Sequence, residues 1–164
     1  MSTKNLFELM QDDLARDDHY MRLWLTLLGC FTSVERTLRR RLKSRFNATL
    51  PRFDVMTALA QHGEGLTMTQ LARRLMVTKG NVTGVVRGLE LDQLIKRSAS
   101  RNDRRVQYVT LTPQGRAAWK EMKSAYRAAV EEVLASLSRT DAAALARSLR
   151  QAQDRIDQSP AVLE

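Results

Sequence analysis

The sequence predicts a mainly α-helical fold carrying one small β-hairpin. Three observations predict it. Apolar residues recur at steps of three and four near both ends of the chain, which is helical spacing. Between Thr67 and Leu89 two short apolar-periodic segments are separated only by Met76-Val77, which reads as two helices split by a tight turn. Directly after them, two alternating segments flank the polar run Ser100-Arg101-Asn102-Asp103-Arg104, which reads as a hairpin.

The first helix is expected from about Asp17 to Arg45, where Gly29 is the only glycine or proline. Its apolar positions are Met21, Trp24, Leu28, Phe31, Val34, Leu38 and Leu42. Asn47 to Pro51 breaks it. A second helix follows over Arg52–Gln61 with Phe53, Met56 and Leu59 inward, and His62–Gly65 is a loop. Thr67, with Gln70 three positions on, is a capping-box pattern that starts a short helix buried through Leu71 and Leu75. Thr78 caps the next helix, which turns Val82, Val85, Val86 and Leu89 inward. Ile95–Ala99 and Val106–Leu111 alternate as strands. Thr112 and Pro113 suit the start of a helix through Trp119, Met122, Tyr126, Val130, Val133 and Leu137. Ser138-Arg139-Thr140 interrupts, and Thr140 caps a last helix with Leu145, Leu149 and Ile156. The whole is a winged helix-turn-helix with long N- and C-terminal helices. A winged element alone does not need those long helices, so their apolar faces call for a partner surface, and a second copy of the chain is the simplest. Residues 1–50 are therefore read as an N-terminal dimerisation helix and 51–112 as the winged lobe. Residues 113–158 are C-terminal dimerisation helices and 159–164 a tail, all in one intertwined domain.

Composition limits the functions. The 164 residues are 43% hydrophobic and 27% charged, ordinary for a globular chain, but the formal net charge is +9. Such a balance points to a polyanionic partner, either nucleic acid or an anionic membrane surface. One cysteine, Cys30, excludes an internal disulfide and a Cys-rich zinc site and fits a reducing compartment. His19 and His62 lack metal-ligand spacing, and no long uncharged apolar run is present. No signal-peptide pattern, catalytic constellation or glycine-rich phosphate loop stands out. The expectation is a cytoplasmic protein that is not an enzyme, uses no cofactor and engages no membrane.

The second helix of such a pair enters the major groove with its N-terminal residues at base edges. Here that helix leaves Lys79, Gly80, Asn81, Thr83, Gly84 and Arg87 for its outer face: short polar groups, two glycines for close approach and two cations. Thr67, Thr69, Thr78 and the first-turn N–H groups suit phosphates. The hairpin tip adds Arg101, Arg104 and Arg105, whose guanidinium groups fit a narrow minor groove. Asp103 is placed to hold a neighbouring arginine. From Thr67 to Thr110 there are nine cations, against only Glu90, Asp92 and Asp103.

These residues resemble the winged helix-turn-helix of the MarR family of bacterial transcription regulators. The most specific match is Asp103-Arg104-Arg105-Val106-Gln107-Tyr108-Val109-Thr110-Leu111-Thr112-Pro113-Gln114-Gly115, which follows that family's wing signature. Leu71-Ala72 and Val82-Thr83 through Leu89-Glu90 match its two helices. The specific match spans roughly Phe53 to Arg116, while the flanking helices match in length and order. The resemblance implies a homodimer, a palindromic duplex operator, and repression relieved by a small ligand, often an aromatic acid and in some members an acyl-CoA thioester. It implies Arg104 or Arg105 in the minor groove, and Lys79, Asn81, Thr83 and Arg87 in the major groove.

Other features admit two readings. The cluster Arg36, Arg39, Arg40, Arg41, Lys43 and Arg45 is a solvated helix end favoured by the macrodipole, or an extra phosphate contact, or an anchor for an acidic ligand. His19, Tyr20 and Trp24 are core or dimer packing, or part of an aromatic ligand pocket with Arg36 and Arg40. Cys30 is inert packing in an apolar stripe, or an oxidant sensor. Two rivals to a sequence-specific regulator remain: a helical dimer whose winged element binds a protein, and a non-specific architectural DNA binder.

Overall fold

The computed structural model describes residues 18–99 and 106–158. Helix α1 spans His19–Phe46, α2 Leu50–Ala60, α3 Met68–Arg74 and α4 Lys79–Leu91. Strands β1, Ile95–Ala99, and β2, Gln107–Leu111, follow, then α5, Pro113–Val133, and α6, Arg139–Gln158. The chain divides into two compact units, Met1–Val130 and Glu131–Glu164.

In the first unit α1 starts at Asp18, whose carboxylate accepts the N–H groups of Tyr20 (2.8 Å) and Met21 (3.2 Å). It ends at Asn47, which takes the left-handed φ of 50° that asparagine tolerates at a helix C-terminus. Only Leu25, Leu38 and Leu42 of its 28 residues are buried. Tyr20 (85% exposed), Leu23, Trp24 (56%) and Phe31 face solvent. Of the seven apolar positions expected to face inward, Leu38 and Leu42 alone are buried within this chain.

Helix α2 is the centre of the lobe. Leu50, Phe53, Val55, Met56, Ala58 and Leu59 are buried on almost every side of it. It begins two residues before the expected start, because Pro51 sits in the first turn, where its missing N–H has no helical partner to lose. What reads as a breaker is an initiator here. Helix α5 closes over α2: Tyr126 stacks on Phe53 at 4.8 Å between ring centroids, and Trp119 Nε1 donates to Thr57 Oγ1 at 3.1 Å.

The capping box at α3 is present in both directions. Thr67 Oγ1 accepts from Gln70 N (3.3 Å) and Gln70 Oε1 accepts from Thr67 N (2.8 Å). Leu71 and Ala72 bury the inner face. The turn pivots at Met76, a left-handed residue at φ 52°, 93% exposed. Thr78 Oγ1 then accepts from Asn81 N to cap α4.

The strands pair antiparallel, Ile95 opposite Leu111 and Arg97 opposite Val109. Leu66 adds a third short bridge to Val109, exchanging N–H···O bonds of 3.1 and 2.9 Å. Gly65 makes this approach possible. Its φ is +93° and a Cβ there would lie 2.7 Å from Val109 O. The alternation expected for β1 is absent: Ile95 is buried and Lys96 through Ala99 are all exposed. A two-stranded ribbon that leaves the lobe has no core on either face beyond its base.

Thr112 joins the ribbon to α5. Its N–H donates to Leu94 O (3.0 Å), its Oγ1 donates to Gln93 O (2.8 Å), and that oxygen accepts from Gly115 N (2.9 Å). Gly115 packs so close to the α4–β1 turn that an added Cβ would stand 1.8 Å from Leu94 O.

In the second unit, α6 is capped by Ser138, whose Oγ accepts from Asp141 N at 3.1 Å. The expected cap, Thr140, is already inside the helix. Both are good capping residues, and the serine wins because Asp141 three positions on also accepts its hydroxyl proton at 2.7 Å. Helix α5 ends at Val133, one turn before the expected Leu137. No side chain of α6 is buried, and Leu145, Leu149 and Ile156 remain exposed.

Candidate nucleic-acid interface

Helix α4 is held against the lobe by Val82, Val86 and Leu89, all buried. That fixes its opposite face. Lys79, Gly80, Asn81, Thr83, Gly84 and Arg87 are all exposed, as the heptad spacing requires. The two glycines answer to nothing inside the protein. A Cβ at Gly84 would meet no atom within 4 Å, and one at Gly80 only Thr78 Oγ1 at 3.9 Å. Glycine inside a helix costs about 1 kcal/mol relative to alanine. A helix that carries two without an internal packing reason presents a low ridge that lets another molecule approach its backbone.

The hydroxyls on this face are partly engaged. Thr83 Oγ1 donates to Lys79 O at 2.8 Å, so what it offers outward is an acceptor and a methyl group, the natural complement of a thymine methyl. Thr67 and Thr78 accept in their caps, and accepting leaves each hydroxyl hydrogen to donate to a phosphate oxygen. Thr69 is exposed on the first turn of α3.

Two of the three acids in this stretch are neutralised by cations from other elements. Glu90 Oε2 pairs with Arg97 Nε of β1 at 3.1 Å, and Asp92 pairs with Arg52 of α2. The face is therefore more uniformly positive than a tally of charges implies. Arg101, Asp103, Arg104 and Arg105, the expected minor-groove group, lie outside the described residues.

The expected ligand residues do not form one pocket in the chain. His19, Tyr20 and Trp24 lie on the first two turns of α1, and Arg36 and Arg40 lie further along it, all exposed. Trp24 and Arg36 are twelve residues apart, about 18 Å of helical rise. Within the cluster of basic residues, Arg39 pairs with Glu35 at 2.8 Å and Lys43 with Asn47 at 2.6 Å. Cys30 is exposed rather than packed in an apolar stripe, because the buried stripe of α1 runs through Leu25, Leu38 and Leu42.

A cavity that the sequence did not reveal opens beside α4. It is lined by Pro51, Asp54 and Val55 of α2, Leu75 and Val77 of the helix-turn-helix turn, and Asn81, Val82 and Val85 of α4, with a volume of about 360 Å³. Asp54 sits on its wall. Burial pushes the Asp54 carboxyl above the usual carboxylate range, Arg39 pulls it back, and Glu35 adds to the rise. Its outer side is nevertheless open to solvent, so the desolvation is one-sided. The only hint in the sequence is an acid between the buried Phe53 and Val55.

Residues 48–106 match the model of the MarR family. The transcriptional activatory protein BadR of Rhodopseudomonas palustris is 31% identical over 123 residues, covering 73% of this chain and 70% of its own. An HTH-type transcriptional repressor of Mycobacterium bovis is 38% identical over 95 residues, 58% of this chain and 68% of its own. The solved structure of a MarR family transcriptional regulator from Silicibacter pomeroyi superposes with a TM-score of 0.73 at 28% identity, over 88% of this chain and 98% of that one.

Proposed function

Because this chain belongs to the MarR family of DNA-binding transcriptional regulators, we propose that it acts as a homodimeric repressor that reads a palindromic operator and releases it when a small ligand binds. The observation that carries the reading is the outer face of α4: exposed Lys79, Asn81 and Arg87 around two glycines that the protein itself does not need. In each half-site α4 enters the major groove. Lys79 and Arg87 donate to guanine or phosphate, Asn81 offers its amide to adenine, and Thr83 faces a thymine methyl. Thr67, Thr69 and Thr78 hold phosphates, and Arg104 or Arg105 reaches the flanking minor groove with Asp103 as its brace.

The dimer is supported by apolar side chains that this chain alone leaves in water: Tyr20, Leu23, Trp24 and Phe31 on α1, and Leu145, Leu149 and Ile156 on α6. Two copies would place their α4 helices about one duplex turn apart, roughly 34 Å. Repression follows the mycobacterial relative, which is the more similar of the two over its matched segment. The cavity beside α4 is the effector site in this reading. A ligand there releases DNA only to the extent that it prefers the dimer whose half-site spacing no longer fits.

The test is selection of bound duplexes from random DNA, then gel shifts with wild type and with Arg104→Ala/Arg105→Ala. The double variant should lose operator affinity at least tenfold and remain dimeric. Wild-type affinity in that variant would remove the wing from the mechanism. Absence of binding even at low salt would favour a protein partner, and equal affinity for every sequence would favour an architectural role.

A further inference from the structure

We infer that the cavity between α2 and α4 is built for a small cationic ligand with an apolar body, an amidine or amine on a ring, rather than for an organic acid. The inference rests on the reading of this cavity as the effector site and names the chemistry it selects.

Six of the eight lining residues are apolar: Pro51, Val55, Leu75, Val77, Val82 and Val85. The polar pair is Asp54 and Asn81, one carboxyl and one amide. Among the described residues, no lysine, arginine or histidine lines the space. A carboxylate ligand would meet Asp54 with no cation on the wall to offset the repulsion. The cation acting on Asp54 is Arg39, and its guanidinium is engaged by Glu35 at 2.8 Å. A cation meets the opposite situation: Asp54 supplies a charge-assisted acceptor, Asn81 Oδ1 a second acceptor, and the valines cover the ring. About 360 Å³ holds a single ring with its substituent and is far too small to enclose a molecule of the size of an acyl-CoA. Asn81 also stands on the groove face of α4, so its amide faces either the ligand or a base edge, which couples the cavity to DNA through a shared residue.

Benzamidine and benzoate test this directly, since they share size and shape and carry opposite charge at neutral pH. Each is titrated into the full-length chain without DNA while backbone amide shifts are followed. The expected result is that benzamidinium moves the amides of Val55, Val77 and Val85 and binds at least tenfold more tightly than benzoate. In Asp54→Asn that ratio should fall to about one. The wild-type shift map needs no variant, so the inference is testable even if Asp54→Asn folds poorly. Equal or tighter binding of benzoate, shifts confined to other parts of the chain, no shifts with either probe, or a ratio unchanged in Asp54→Asn would each overturn it. Anisotropy of a labelled, selected duplex then separates the two layers. If benzamidinium occupies the cavity and the duplex stays bound, the ligand class stands and the effector reading falls.

Discussion

Gly115→Ala puts two physical rules in direct opposition. Gly115 lies in the first turn of α5, and by helix propensity alone alanine there would stabilise the chain by about 1 kcal/mol. The structure predicts the reverse. The new Cβ would lie 1.8 Å from Leu94 O, where ordinary contact begins near 3.4 Å, so α5 must retreat by about 1.6 Å from the α4–β1 turn. Leu94 O is backbone and the backbone of residue 115 fixes the Cβ position, so no rotamer relieves the contact. A retreat of that size breaks the Thr112 N–H bond to Leu94 O and pulls the Thr112 hydroxyl from Gln93 O. Overpacking costs about 1–3 kcal/mol and each lost bond about 1 kcal/mol. Against the propensity gain the net loss is about 2–4 kcal/mol, which lowers Tm by roughly 5–15 °C in a chain of this size. Thermal unfolding followed by circular dichroism at fixed protomer concentration reads it. An unchanged or raised Tm for Gly115→Ala would refute the argument that this junction is sterically saturated.

Other outcomes follow from single features. Thr67→Ala removes the hydroxyl that accepts from Gln70 N, one of the two bonds of the capping box, and should lower stability by about 1 kcal/mol, while Thr67→Ser should keep it; urea denaturation distinguishes them. The Asp54 carboxyl binds its proton more tightly in the folded chain than in the unfolded one. Its contribution therefore favours folding at acid pH and is lost as pH rises from the ordinary value of 3.8 through the raised one. Asp54→Asn should accordingly be more stable than wild type at pH 7, with the gap closing toward pH 3; a pH-independent gap in Tm would contradict the assignment. Trp24→Glu with Phe31→Glu should yield a folded monomer in sedimentation velocity, and a dimer that survives both charges would move the interface off this face of α1.

The order of elements was legible in the sequence because it depends on local rules. Thr67 with Gln70, Thr78 before α4, and the valines of α4 each signal their role within one or two turns. The errors arise where a local rule has two solutions. Pro51 breaks a helix or opens one, and only the packing of Leu50 and Phe53 chooses. Ser138 and Thr140 both cap well, and Asp141 decides between them. The outward-facing residues of α4 were legible for the same reason as its core: burying one face of a helix dictates the other. The cavity was not legible, because its walls come from α2, a turn and α4, and no spacing within one segment records that they converge. The saturation at Gly115 was hidden likewise, since its cause is the carbonyl of Leu94, twenty-one residues earlier.

The pairing of Glu90 with Arg97 and of Asp92 with Arg52 also bears on ionic strength. A cation that neutralises a phosphate releases a condensed counterion, and each such contact makes the logarithm of affinity fall by about 0.9 per decade of salt. Arg52 and Arg97 already neutralise carboxylates of their own chain, so neither releases an ion when DNA arrives. Their charges cancel two repulsions without entering the counterion count. A DNA complex of this chain is therefore expected to be less sensitive to salt than its many basic residues imply, because Arg52 and Arg97 do not enter the count.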